Sequence, residues 1–292
     1  MDFRNGQELL DVCKSENLPI SEVMKQREIT CGPLTSEEVD EKLKVVLSIM
    51  KNAVKEPLEK PIRSIGGLIG GEAKKVSDYG KTPNSICGSL MSKAFAYSMA
   101  VLEMNASMGL IVAAPTAGSS GVVPGVLLAL QDDRDLSDDL LYTGLLNASA
   151  VGYILMRNAS VSGAEAGCQA EVGAASAMAA SAVTEMMGGT PEMCLQAATI
   201  ALSNLLGMVC DPIAGLVEAP CQSRNSIGAA NAITCAELAL AGVTSPIPFD
   251  EMAEAMYRVG KSLPMELRET ALGGCAGTPT GCALGCAICG KH

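Results

Sequence analysis

The sequence predicts an all-α fold, a compact bundle of close-packed helices rich in small residues and joined by Gly-rich loops. Three observations carry this expectation. Aromatic residues make up only 3% of the 292 positions and Trp is absent, while Ala, Gly, Leu, Met and Ser fill the apolar sites. Small side chains let helix backbones approach closely. Helix-start signals recur at Thr35, Ser137 and Thr190, and no alternating apolar–polar run of strand length and no internal repeat is present. A helical bundle is then the simplest class.

The elements follow in order. Residues 7–27 carry helical periodicity and much charge. Thr35 with Glu38 is a capping-box pattern, in which each side chain satisfies the other's backbone amide, and it opens a helix to about Val54. From Glu56 to Gly88 the chain is charged and Gly-rich, with Gly66-Gly67, Gly70-Gly71 and Gly80, and is expected to form an irregular wrap or a lid. A helix runs from about Ser89 to Gly109; Leu110–Ala114 is short, apolar and without a decisive period. Pro115–Gly121 is a turn-rich loop leading into a helix at Val122. Asp135 or Ser137 caps the next helix, which reaches about Arg157, and another runs from about Gly167 to Met187. Thr190 followed by Pro191 is an N-cap with Pro at the first helical position, and that helix stops near Gly207. A loop carries Cys210 to Cys221, and helices follow over Ser223–Ala241 and Asp250–Arg258. This gives an N-terminal helical hairpin (1–56), a Gly-rich irregular connection (57–88), a helical core (89–272) and a Cys/Gly-rich tail (273–292).

The net charge of −11 leaves no basic stripe, which argues against a nucleic-acid partner. Two uncharged stretches, Met104–Gln131 and Met193–Cys210, invite a membrane reading. The first is broken by Pro115, Gly118, Gly121, Pro124 and Gly125, and the second ends at Asp211 and carries Gln196 and Asn204. Neither has aromatic belts or a Lys/Arg loop bias, so buried helices explain both better and no membrane is expected.

The N-terminus lacks the apolar region of a secretory signal, and twelve cysteines in such a chain point to a reducing, cytoplasmic setting. That many thiols suggest metal or Fe–S chemistry. The plain alternative is that Cys serves as a small buried hydrophobe, and this is assigned to Cys13, Cys31, Cys87, Cys194 and Cys235. Two sets compete for chemistry. The local set is Cys282-x-x-x-Cys286-x-x-Cys289, preceded by Cys275. Its spacing matches radical enzymes that bind a [4Fe–4S] cluster with S-adenosylmethionine. In those enzymes the motif sits early in a long β/α barrel; here it lies three residues from the end of the sequence, which leaves no room for that barrel. The dispersed set is Cys168, at the start of a predicted helix where the peptide dipole favours thiolate, with Cys210 and Cys221 bracketing a loop stiffened by Pro212 and Pro220. Three thiolates on a four-iron cluster leave one iron open as a Lewis acid. Spacing alone does not set this set above the buried-hydrophobe reading.

Longer motifs add to this. Ala114–Gly125 (APTAGSSGVVPG), Ser162–Gly173 (SGAEAGCQAEVG), Cys210–Cys221 (CDPIAGLVEAPC), Glu269–Gly274 and Thr278–Gly281 resemble, in order and over most of the chain, the iron–sulfur-dependent L-serine dehydratase family, in its α chain or the matching half of single-chain members. The resemblance implies an all-helical catalytic domain, a [4Fe–4S] cluster on Cys168, Cys210 and Cys221, L-serine as substrate and a separate β chain as partner. The Cys-dense tail is richer than the family pattern requires.

Dehydrating serine removes the Cα proton and expels the β-hydroxyl, a poor leaving group that an open iron would stabilise. Pyruvate and ammonia are the products. A pyridoxal-phosphate route would need a lysine beside a phosphate loop, and the nearest in sequence to the 116–121 loop are Lys93 and Lys81. That loop precedes a helix N-terminus, a natural anion site; Thr116, Ser119, Ser120 and Gly121 with their backbone amides are the expected carboxylate binders. The only histidine is His292, so the proton acceptor is sought at an iron-bound oxygen, at a carboxylate such as Glu165, or on the partner. Glu171 lies six residues on, so the two carboxylates do not share one helical face, and both also read as helix-start charges. Cys286 or Cys289 is expected to fold back on the open iron until substrate displaces it. The alternatives are a related lyase acting on another β-substituted amino acid, such as an L-cysteine desulfidase, and a structural or electron-transfer Fe–S subunit.

Overall fold

The computed structural model describes residues 1–290; His292 lies outside them. The architecture is all-α. Helices α1 (Gly6–Glu16) and α2 (Ile20–Cys31) form the N-terminal hairpin, followed by α3 (Ser36–Glu59), α4 (Glu72–Gly80), α5 (Gly88–Ala106), α6 (Val122–Arg134), α7 (Asp138–Asn158) and the single-turn α8 (Gly163–Ala166). A π-helical turn over Gln169–Gly173 leads into α9 (Ala174–Met186). Then come α10 (Pro191–Asn204), α11 (Cys221–Leu240), α12 (Phe249–Ser262) and α13 (Pro279–Cys289). Among the described residues the only strand-like pairing is an isolated parallel bridge between Cys210 and Arg268. No described helix is long and apolar enough to cross a membrane.

The expected caps form. Thr35 and Glu38 make both bonds of the capping box at the start of α3, and Ser137, not Asp135, caps α7, with its hydroxyl accepting from Leu140 N. Asp135 instead sits in the left-handed region at the end of α6. The 7–27 stretch is two helices, because Asn17 turns left-handed (φ 54°) and ends α1. The far carboxylate of Asp250 then accepts the Gly6 and Gln7 amides at 2.6 and 3.0 Å, satisfying the free start of α1. The Gly-rich 57–88 stretch holds a regular helix, α4, whose first turn is entered through Gly70 and Gly71. The Gly/Cys tail likewise folds as α13, opened by Thr278 as N-cap and Pro279.

Helix α9 is the centre of the core. All but one of its residues from Ala174 to Met186 are buried, and it packs against α6, α7, α10 and α11. Its Ala and Ser side chains allow that crowding; enlarging one would cost about 1–3 kcal/mol in overpacking. Small residues on neighbouring helices accept its larger ones: Met178 lies against Gly152, and Met186 against Gly144. The five cysteines assigned to packing divide. Cys13, Cys194 and Cys235 are buried, as expected, but Cys31 and Cys87 are exposed, since they sit at the end of α2 and the start of α5 where the chain leaves the core.

Candidate active site

Three thiols that are far apart in sequence meet under the start of α11. Cys168, Cys210 and Cys221 are 2, 3 and 6% exposed. Cys168 follows Gly167, whose φ of +77° ends α8 and turns the chain into the π-helical segment. Gln169 fixes that turn: its amide donates to the carbonyls of Ala166 and Met256, and its carbonyl accepts Gly207 N at 2.8 Å. Cys210 is held by the bridge to Arg268, with its N–H on Leu267 O at 2.9 Å and its carbonyl accepting Glu269 N at 2.6 Å. Cys221 is the first residue of α11.

The thiols act on one another. A hydrogen bond with the Cys168 thiol, burial, and the neighbouring Cys168, Glu171 and Glu269 charges raise the Cys210 thiol far above its ordinary range. Burial, then Cys168 and Glu171, raise Cys221, with Arg224 opposing. Three buried thiols are a soft donor set that suits iron–sulfur or other thiophilic metal chemistry. Among the described residues, no three His, Cys, Asp or Glu side chains converge on a point for a single metal ion. A four-iron cluster needs no such point, because each thiolate takes a different iron.

Around the thiols the loop 210–221 is tied on both sides. Asp211 pairs with Arg224 at 2.6 Å, and Arg224 also donates to Val209 O. Asp211 Oδ2 accepts Cys275 N at 2.6 Å, which pins the start of the tail. Burial works to raise the Asp211 carboxyl, but the Cys275 amide and Arg224 hold it below the usual range. On the other side, Glu218 grips the strap formed by residues 64–69 through Ser64, Gly66 and Leu68.

The 116–121 loop faces the same place. Thr116 Oγ1 donates to Glu171 Oε1 at 2.7 Å and lies 3.1 Å from Ser119 Oγ. Ser119 and Ser120 are wholly buried, and their hydroxyls turn inward, Ser120 onto Ala117 O at 2.8 Å. Gly121 N is taken by Asn225 Oδ1 at 3.0 Å. The free groups of the loop are its backbone donors: among the described residues no acceptor takes the N–H of Ala117, Gly118 or Ser119. Successive free amides before a helix start form an anion-binding concavity.

Two carboxyls considered from the sequence now separate. Glu165 is exposed on α8 and accepts the Ser160 hydroxyl at 2.7 Å. Glu171 is half-buried between the loop and the thiols, its Oε2 4.0 Å from Cys210 Sγ. Gly118 and Gly163 wall its slot; a Cβ on either would stand 3.1 or 2.6 Å from its oxygens. Burial raises the Glu171 carboxyl, with Thr116 opposing and Glu269 adding to the rise. Asn225, Gln169 and Arg224 were not singled out in the sequence. Each is an ordinary polar residue inside a helix pattern, and only the packing reveals what it holds. Helix α13 rests on the Ile213–Gly215 turn of the cysteine loop, with Gly285 beside Ala214. Cys282, Cys286 and Cys289 are exposed on it and Cys275 is half-buried at its approach.

Residues 15–276 match the family profile described as serine dehydratase alpha chain. The chain is 47% identical to the probable L-serine dehydratase alpha chain of Bacillus subtilis over 279 residues, 96% of this chain and 93% of that one. It is 45% identical to the L-serine dehydratase alpha chain of Peptoniphilus asaccharolyticus, covering 96% of each. The L-serine dehydratase of Helicobacter pylori is 35% identical over 95% of this chain but only 62% of its own length. Matches of this extent place the chain in the serine dehydratase alpha chain family.

Proposed function

We propose that this chain is the catalytic α subunit of an L-serine dehydratase, a lyase that converts L-serine to pyruvate and ammonia. The observation that carries the reading is the meeting of three buried thiols, with Cys168 acting on both Cys210 and Cys221, beside the carboxyl of Glu171 and the free amides of the 117–119 turn. Those thiols are the ligands we assign to a [4Fe–4S] cluster, whose open iron when bound supplies Lewis-acid stabilisation of the departing hydroxide, worth several kcal/mol in metal sites generally.

The chain's own groups do the rest. The amides of Ala117, Gly118 and Ser119 bind the substrate carboxylate, while the Ser119 and Ser120 hydroxyls shape the turn from within. Asn225 holds that turn against α11 through Gly121, and Thr116 ties it to Glu171, so the carboxylate is oriented relative to Cys221. The described residues contain no histidine, and the proton acceptor for Cα is assigned to the β chain or to a site carboxyl. Cys286 or Cys289, exposed on α13, would be the thiol to occupy the cluster's remaining position in the resting enzyme. The free thiols fit a cytoplasmic, reducing location.

The test is anaerobic co-purification with the β chain, iron and sulfide analysis, and pyruvate release from serine, threonine and cysteine. The expected result is a cluster-bearing enzyme with serine preferred, and loss of both iron and turnover in Cys168→Ser, Cys210→Ser and Cys221→Ser. An active enzyme without iron would refute the reading, and preference for cysteine with sulfide release would replace the substrate. A Ser119→Ala, Ser120→Ala double variant with unchanged KM removes the two hydroxyls as contributors to the carboxylate site, leaving it to the 117–119 amides. Cutting the chain after Gly281 is expected to raise activity or abolish a lag; loss of iron instead would make the tail structural.

A further inference from the structure

The connection between α5 and the 116–121 loop is unusual in this helical molecule. Leu110, Ile111, Val112 and Ala113 belong to no helix, and among the described residues no group of the chain takes their N–H donors or uses their carbonyls. The segment is apolar throughout, and none of its residues is buried. Its surroundings are apolar as well. Met108, Leu110 and Ile65 are 79, 70 and 64% exposed, and Ile65 is brought beside the end of α5 by its N–H bond to Ala106 O at 2.9 Å. A cleft of about 390 Å³ lies alongside, with Ile49, Ile62, Met104 and Leu110 on its apolar side and Asn52, Glu56 and Ser107 on its polar side. Free backbone donors and acceptors on apolar residues are what a partner strand or extended segment pairs with, while flanking apolar side chains supply area. Contiguous apolar surface on a folded chain marks an interaction site.

We propose that Leu110–Ala113, with Ile65 and Met108, is the docking edge for the β chain of the dehydratase. This rests on the heteromeric reading given above. Two observations favour that occupant. The segment runs straight into Pro115 and the 116–121 turn, so whatever pairs with it stands beside the thiols and Glu171. In the Helicobacter pylori relative the matched region is only 62% of one polypeptide, so a further part of that dehydratase is carried beside the same fold. The β chain therefore both covers the apolar edge and reaches the reacting groups.

Hydrogen exchange on the full-length chain, alone and with the β chain, tests this. Alone, the amides of Leu110, Ile111, Val112 and Ala113 exchange fast; in the complex they slow by about two orders of magnitude or more. Leu110→Glu and Val112→Pro, the first adding a charge and the second removing one donor, each weaken the complex about tenfold or more at unchanged melting temperature. Should Val112→Pro unfold, Leu110→Glu and the exchange of the unmodified chain still decide. A complex in which 110–113 stay unprotected overturns the docking edge and leaves the heteromer standing. Protection of 110–113 in the isolated chain at high concentration assigns the edge to a second copy and overturns the proposal. Absence of any complex overturns both the edge and the heteromeric reading.

Discussion

The carboxylate of Glu218 accepts the hydroxyl of Ser64 at 2.6 Å, a bond that joins the cysteine loop to a strap 154 residues earlier in the chain. The same carboxylate takes Gly66 N at 2.7 Å and Leu68 N at 2.9 Å, and Glu218 is buried. Hydrogen bonds to a buried carboxylate are among the stronger ones, and removing the acceptor strands the Gly66 and Leu68 amides, while the Ser64 hydroxyl keeps Ile69 O. Glu218→Ala is expected to lower the unfolding free energy by about 3 kcal/mol, read as a lower urea midpoint. Proteolysis within 61–71 should quicken before the whole chain opens. An unmoved midpoint together with slow cleavage would show that the strap is held by its apolar residues alone.

Asn225 makes the equivalent link on the opposite side. Its oxygen accepts Gly121 N, and its amide donates to Gly118 O at 2.8 Å and Cys221 O at 2.9 Å. No other residue touches both the carboxylate-binding turn and the first residue of α11 by hydrogen bonds among those described. Asn225→Asp keeps size but turns two donations into repulsions between a carboxylate and carbonyls. We expect kcat/KM for serine to fall about a hundredfold, more than 2 kcal/mol of transition-state stabilisation, with KM rising as the turn loosens. A variant with unchanged KM and only a lower melting temperature would make Asn225 a structural tie.

Much of this arrangement was legible in the chain. Caps at Thr35, Ser137 and Thr190 act locally, so a few adjacent residues report them. The motif around Cys168, Cys210 and Cys221 pointed to a common site, and the fold brings those thiols together. What stayed hidden depends on distance in sequence. Helix α4 is masked because Gly66 to Gly71 dilutes its pattern, and its start is held by Glu103, which accepts Ala73 N from another helix. The loop serines looked like ligands, yet Ser119 and Ser120 face inward and leave the amides free. Glu165 and Glu171 look alike in sequence, but the π-helical turn after Gly167 turns only the second toward Thr116 and Cys210, half-buried, while Glu165 stays exposed.

Glu103 carries a pH signature. It is wholly buried on α5; its Oε1 accepts Ala73 N and Gln222 Nε2, both at 2.9 Å, and its Oε2 has no partner. Burial raises its carboxyl above the ordinary range and Glu72 on α4 adds to the rise, against the lowering by the Ala73 and Gly71 amides and Gln222. A folded value above the unfolded one means that the stabilising share of this group is complete below the unfolded value of about 4.3 and is lost as pH rises through the folded one. Glu103→Gln has no such titration. Its urea midpoint relative to the parent chain should therefore improve steadily from pH 4.5 upward. A gap that is flat or narrows in the opposite sense would place Glu103 as a charged group in the native state.

Gly163 tests how rigid the slot is. It begins α8 with an ordinary helical backbone, so alanine meets no conformational objection there. The objection is contact: the added Cβ would stand 2.6 Å from Glu171 Oε2 and 2.9 Å from Cys210 Sγ. Either the carboxyl swings away from Thr116 or the thiol leaves its place beside Cys168. Helix α8 is short and near the surface, so the cost in global stability should stay within about 1–3 kcal/mol. The expected loss falls instead on iron and sulfide retained after anaerobic reconstitution, measured on protein whose helical content and melting are close to the parent. A Gly163→Ala chain that retains full iron but turns over slowly would assign the strain to Glu171 and leave Cys210 in position. Full iron with full turnover would show that both groups move freely, and that the glycine walls of the slot do not position its contents.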